Sequence, residues 1–225
     1  MELRARSRRQ VPWNPGIVRH LDWEPTLESV TSWYAPLARA IPALVLAGVV
    51  TFSADHSPAL GLITFGIFAA ATGAVITAFA LRSPSGTARV LQLTQGVVTL
   101  VAGIVSLAMI AGGLPFFVLV LTAFAVVTGF LELYLGLRSR RTDRSARDWI
   151  FTGGLTVLLA IIVLLVPPGF VQTFEGPDGV VRELTASVIV VGTLGAYWAI
   201  LGIYLVIAAL SLKWAPDDTA TPKAA

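Results

Sequence analysis

The chain has no cysteine and only two histidines, His20 and His56. The first absence removes disulfides, thiolate nucleophiles and cysteine-held metals or clusters. The second leaves Asp55 and His56 as an isolated pair, short of the three or four protein ligands of a zinc site. Charge is scarce as well: 13% of the 225 residues, against about 25% in soluble domains. No apolar core long enough for a cleavable signal peptide occurs in the first 36 residues. No Ser–His–Asp set, phosphate loop or pair of catalytic acids is found either. The expectation is a non-enzymatic chain with no cofactor and no metal.

What the chain has in abundance is apolar sequence. It is 56% hydrophobic, with mean hydropathy +0.79. Six apolar segments approach or exceed the length that crosses about 30 Å of hydrocarbon. They run at about 37–52, 60–81, 90–114, 116–137, 149–166 and 188–212. Backbone amides in lipid must be satisfied within each segment, so each is read as a helix. The fold class is therefore an all-α membrane protein with six transmembrane helices. Lipid bilayer is the expected surrounding.

The 14 arginines and two lysines are placed unevenly. In a six-helix alternation, 15 of these 16 basic residues fall on one side and Arg182 falls on the other. The positive-inside rule then puts both termini in the cytoplasm of a bacterial inner (plasma) membrane. Arg82, Arg138, Arg140 and Arg141 are the topology anchors, with Trp149 and Trp214 in the aromatic belt on that side. This bias accounts for the pI near 9.7 without a nucleic-acid partner. Arg39, near the start of the first span, is expected to snorkel to the headgroups.

An internal repeat organises the spans. "FAAATGAVITAFALRS" (68–83) lies over "FAVVTGFLELYLGLRS" (124–139) at a spacing of 56 residues, and "YWAILGIYLVIAALSL" (197–212) is a weaker third copy. Helices 3 and 5 agree as "GVVTLVAGIVSL" and "GLTVLLAIIVLL" within one gap. The reading is three tandem helical hairpins, at about 37–83, 89–140 and 147–213, turning near Pro58, Pro115 and Pro167–Pro168. Residues 1–36 form a cytoplasmic arm with an interfacial amphipathic helix between Pro25 and Pro36, and residues 214–225 a disordered tail. The arm is expected to touch lipid or to dock a partner, either a second copy or a larger membrane complex. Ala69 with Gly73, and Ala125 with Gly129, are small residues one turn apart. With Gly202 in the third copy they are read as helix-packing positions.

One carboxylate, Glu132, lies inside an apolar span. Thr128 and Gly129 share its helix face, and Gln92 and Gln95 enter helix 3 at comparable depth. The expected polar site is Glu132, Thr128 and one of Gln92 and Gln95. Three readings stay open: a hydrogen-bonded structural acid, a proton or cation site, or a contact to a partner or lipid. In the outer loop 167–185, "EGPDG" predicts the turn of a small hairpin.

The order and spacing of "GFLELYLGLRSR" (129–140), "RDWIFTGGLTVLLAIIVLLVPPG" (147–169) and "GAYWAILGIYLVIAAL" (195–210) resemble the HdeD family of short-repeat bacterial membrane proteins. Gly129, Glu132 and Arg138 fill the places of a glycine, an acid three residues on, and a basic helix end. The resemblance covers about residues 39–212. It implies a stress-linked membrane protein associated with acid resistance, whose mechanism is not established.

Overall fold

The computed structural model describes residues 33–83, 85–141 and 145–214, all within one compact unit. The amphipathic helix expected in the arm and most of the tail lie outside these residues. The described part is mostly helical: α1 (Tyr34–Phe52), α2 (Pro58–Arg82), α3 (Thr87–Ala108), α4 (Gly113–Ser139), α5 (Ala146–Leu165) and α6 (Ala186–Lys213). All six are long and apolar enough to cross a membrane. Their outward faces carry exposed large hydrophobics such as Ile41, Val45, Val101, Leu119, Phe130, Ile161 and Ile203. A water-soluble bundle would cover that surface. The protein is an integral, multi-pass membrane protein.

The prolines sit differently from expectation. Pro36 does not end a helix; it lies in the first turn of α1. The break between α3 and α4 does fall near Pro115, at the 3-10 turn Ile110–Gly112, but Pro115 itself lies inside the first turn of α4. The physical reason is the same in both cases. The first-turn N–H groups have no partner within the helix, so a missing one costs nothing there. Gly113, at φ +70°, supplies the reversal instead. Pro58 is at N1 of α2 behind the N-cap Ser57, whose hydroxyl accepts from the Leu60 N–H.

Helices that pack closely run antiparallel: Gly66 and Gly73 of α2 meet Gly103 and Gly96 of α3, Gly129 and Gly136 of α4 meet Gly153 and Ala146 of α5, and Gly195 and Gly202 of α6 meet Val50 and Leu44 of α1. One end of the bundle holds Trp33, Arg82, Thr87, Ser139, Ala146 and Lys213, and the Lys213 Nζ sits 4.9 Å over the Trp33 ring. This is the basic end. Among the described residues, Arg182 is the one cation at the opposite end.

The closest helix neighbours are not the two members of each expected hairpin. The most extensive packing joins α2 to α3, α4 to α5, and α1 to α6. Each hairpin's second helix lies on the first helix of the next, and the third hairpin closes onto the first. Glycine seams are the cause. A Cβ on Gly73 would lie 2.8 Å from the Gly96 carbonyl oxygen, and one on Gly153 2.8 Å from that of Gly129. The third seam is looser: a Cβ on Gly202 would meet the Leu44 side chain of α1 at 2.6 Å, with the Leu44 nitrogen at 3.3 Å. Ala69 and Ala125 are fully buried at these contacts, and Trp198, their counterpart in α6, is buried against the Phe68 ring at 5.3 Å between centroids.

Between α5 and α6 stands an antiparallel hairpin, β1 (Val171–Glu175) and β2 (Val181–Thr185), with Gln172 opposite Leu184 and Phe174 opposite Arg182. Gly179 (φ +73°) makes its turn. Arg182 binds Asp178 through two hydrogen bonds of 2.8 and 2.7 Å and holds its carboxyl below the usual carboxylate range. A depressed carboxyl stabilises the fold above its ordinary titration range and loses that contribution as pH falls through the lowered value. Amide protection across residues 171–185, taken relative to the intrinsic exchange rate at each pH, is therefore expected to be higher near neutrality and to fall modestly once Asp178 protonates. Exchange unaffected by Asp178→Asn would contradict this.

Candidate functional site

The glycine seams set the helices in register and thereby define equivalent positions. Gly73, Gly129 and Gly202 correspond on the inner helices α2, α4 and α6. Gly96 and Gly153 correspond on the outer helices α3 and α5, with Ala40 of α1 in the third place, one turn from Leu44. From there the other sets follow by counting along each helix. Phe68, Phe124 and Tyr197 form one set, Thr72, Thr128 and Leu201 a second, and Ile76, Glu132 and Leu205 a third. On the outer helices Arg39, Gln95 and Thr152 match, as do Ala43, Thr99 and Thr156.

A small cavity is lined by eleven residues, and all of them belong to these five sets. It therefore lies where the three repeats meet. Its volume, about 10 Å³, is room for one water molecule.

Glu132 is 3% exposed. Its Oε1 accepts from Gln95 Nε2 at 2.6 Å and from Arg39 Nη2 at 2.8 Å. A carboxylate buried alone would be costly, and a cation with a second donor offsets that cost. Of the two glutamines considered, Gln95 makes this bond; Gln92, almost a turn nearer the basic end of α3, is half-buried and does not. Thr128 lines the same cavity, but its hydroxyl donates to the Phe124 carbonyl at 2.7 Å. Thr99 and Thr156 do likewise, to Gln95 at 2.7 Å and Thr152 at 2.8 Å. With its hydrogen so placed, Thr156 accepts from the Tyr197 hydroxyl at 3.0 Å.

Arg39 corrects the snorkelling expectation. Its guanidinium turns inward onto Glu132, and its side chain is 17% exposed. Arg82, Arg138, Arg140 and Arg141 are exposed at the basic end, Trp149 is half-buried in the first turns of α5, and Trp214 is 70% exposed. Arg138 Nη1 donates to the Tyr134 hydroxyl at 3.1 Å. Asp148, which the structure places inside α5, accepts from the Tyr204 hydroxyl at 2.7 Å. Among the described residues there is no group of three or more His, Asp or Glu side chains able to hold a metal.

The cluster is off-centre. Seven residues separate Glu132 from Ser139, about 10 Å of helix, whereas nineteen separate it from Gly113, about 28 Å. The longer side is filled by aromatics. Phe65, Phe68, Phe117, Phe124 and Trp198 are all buried, with Phe65 and Phe124 edge to face at 5.1 Å.

A three-helix piece of this architecture has relatives. Residues 94–165 match the family model for a short repeat of unknown function, DUF308. The match runs from Gln95's turn of α3 through α4 to the end of α5, so it contains Gln95, Thr99, Thr128, Glu132 and Thr156. HdeD proteins belong to the same domain family. No curated protein and no solved structure matches the chain.

Proposed function

We propose that this is a non-enzymatic protein of a bacterial inner membrane, of HdeD type, whose polar core fastens a closed bundle rather than conducting a solute. The observation that carries the reading is the Arg39–Glu132–Gln95 cluster. Its two charges neutralise each other, its cavity has room for one water, and aromatic side chains fill the bundle beyond it. The basic end faces the cytoplasm on this reading, as the arginine bias favours. A link to acid or general stress rests on the HdeD resemblance of the sequence alone. Any stress partner would engage the arm, residues 1–31.

A second reading keeps Glu132 as part of a proton, ion or small-solute pathway. It is favoured by the threonine and tyrosine hydroxyls gathered around the acid. Flux in proteoliposomes separates the two. Wild type and Glu132→Gln should both show proton and small-ion flux equal to empty vesicles. Flux in the wild type that the substitution abolishes would replace the first reading with the second.

A further inference from the structure

Two polar atoms at the cavity remain unaccounted for. Arg39 Nε and Thr72 Oγ1 are both buried, and neither has a hydrogen-bond partner among the described residues. Thr72 is 3% exposed, and both residues line the cavity. Arg39 Nε–H is a donor only, so it requires an acceptor. The hydroxyls of Thr99 and Thr128 give their hydrogens to their own helices, which leaves lone pairs free to accept. The cavity thus presents donor and acceptor groups together around a space of one water.

We infer that the cavity is a binding site for a single water molecule, held by Arg39 Nε and Thr72 and donating to the threonine oxygens opposite. The mix of groups selects the ligand. A small anion would satisfy Arg39 but would face the Glu132 carboxylate and the threonine lone pairs. A metal cation would face the guanidinium. Water can accept from Arg39 and donate to threonine at once. It is then a third partner of the ion pair, joining α1 and α2 to the elements that hold Gln95 and Glu132. This goes beyond the closed-bundle reading and is independent of it, since a bundle with no flux can hold the water or lack it.

Radiolytic hydroxyl labelling in ¹⁸O water, on the full-length protein in detergent or nanodiscs, tests the site. Radicals formed from a bound water attack the nearest aromatic side chains. Tyr197, Phe68 and Phe124 line the cavity and are 6%, 2% and 6% exposed; Phe65 and Phe117, at 0%, are buried away from it. The expected result is labelling of the first group at least threefold above the second. Thr72→Val, close in shape, should reduce that labelling at least threefold while the labelling of exposed residues stays constant. Equal labelling of the two groups, or labelling unchanged in Thr72→Val, would overturn the inference. Should Thr72→Val perturb the fold, Thr72→Ser retains the hydroxyl and must keep the wild-type pattern.

Discussion

Replacing Arg39 with leucine while Glu132 remains is expected to destabilise the bundle by about 3–5 kcal/mol, because it strands a buried carboxylate. Equilibrium unfolding in mixed micelles would measure it. The cost comes chiefly from the charge left behind rather than from the lost attraction. Removing both charges together, as Arg39→Leu with Glu132→Leu, should therefore recover most of the loss. Glu132→Leu alone strands the guanidinium in the same way, so the two single changes should be strongly non-additive, with an interaction energy larger than the cost of either one. Arg39→Lys keeps the charge but loses the planar fork of donors, and it should fall between. A single Arg39→Leu change costing less than about 0.5 kcal/mol, the range of ordinary surface substitutions, would mean that Glu132 has no need of Arg39.

Gly153→Ala and Gly154→Ala should differ in sign although the residues are neighbours. A Cβ on Gly153 would lie 2.7 Å from the Leu133 nitrogen and 2.8 Å from the Gly129 carbonyl oxygen, both backbone atoms that cannot swing aside. Overpacking of this kind costs about 1–3 kcal/mol or more. It also pushes α5 off α4 beside Glu132, whose own Cβ is 3.0 Å from the same point. Gly154 has nothing within 4 Å of its would-be Cβ. Alanine there gains the helix preference of up to about 1 kcal/mol and loses no contact. Equal effects at the two positions would contradict the α4–α5 seam.

The spans were legible because lipid imposes a simple rule: a long apolar run must satisfy its own backbone. Helix ends were less so. A proline reads equally as a stop or as the first turn of the next helix, and at Pro36 and Pro115 the second meaning held. Packing partners were hidden for a different reason. The 56-residue repeat shows which residues are equivalent but not which repeat each glycine faces. Gly96 aligned naturally over Gly154 in the sequence, yet the neighbouring Gly153 occupies the seam.

Arg39 is the residue that sequence reasoning missed, and a signal for it existed. Carrying the 56-residue spacing back into the first span places Arg39 in register with Gln95. The spacing that relates Phe68 to Phe124 thus relates Glu132's two donors. The location of Arg39 near a helix start suggested the headgroups instead, as it does for most arginines at span ends. Only the closure of α6 onto α1 brings the first span round to Glu132.

The same closure explains why one copy of the repeat carries the acid. Ile76 and Leu205 occupy the equivalent positions in α2 and α6, so the architecture does not require a carboxylate there. It requires neutrality. The outer-helix set contributes one cation, one amide and one hydroxyl side chain, and the inner set answers with one acid.

The pairing of Arg39 with Glu132 is tested most directly by solid-state NMR in lipid bilayers, with ¹⁵N in arginine side chains and ¹³C at the glutamate carboxyl. The hairpin's ion pair uses Asp178 and is silent to this labelling. An N–O hydrogen bond of 2.8 Å puts the carboxyl carbon about 4 Å from the guanidinium nitrogen. Strong dipolar dephasing is expected in the wild type and should vanish in both Arg39→Leu and Glu132→Gln. Dephasing that survives either substitution, or is absent from the wild type, would contradict the account.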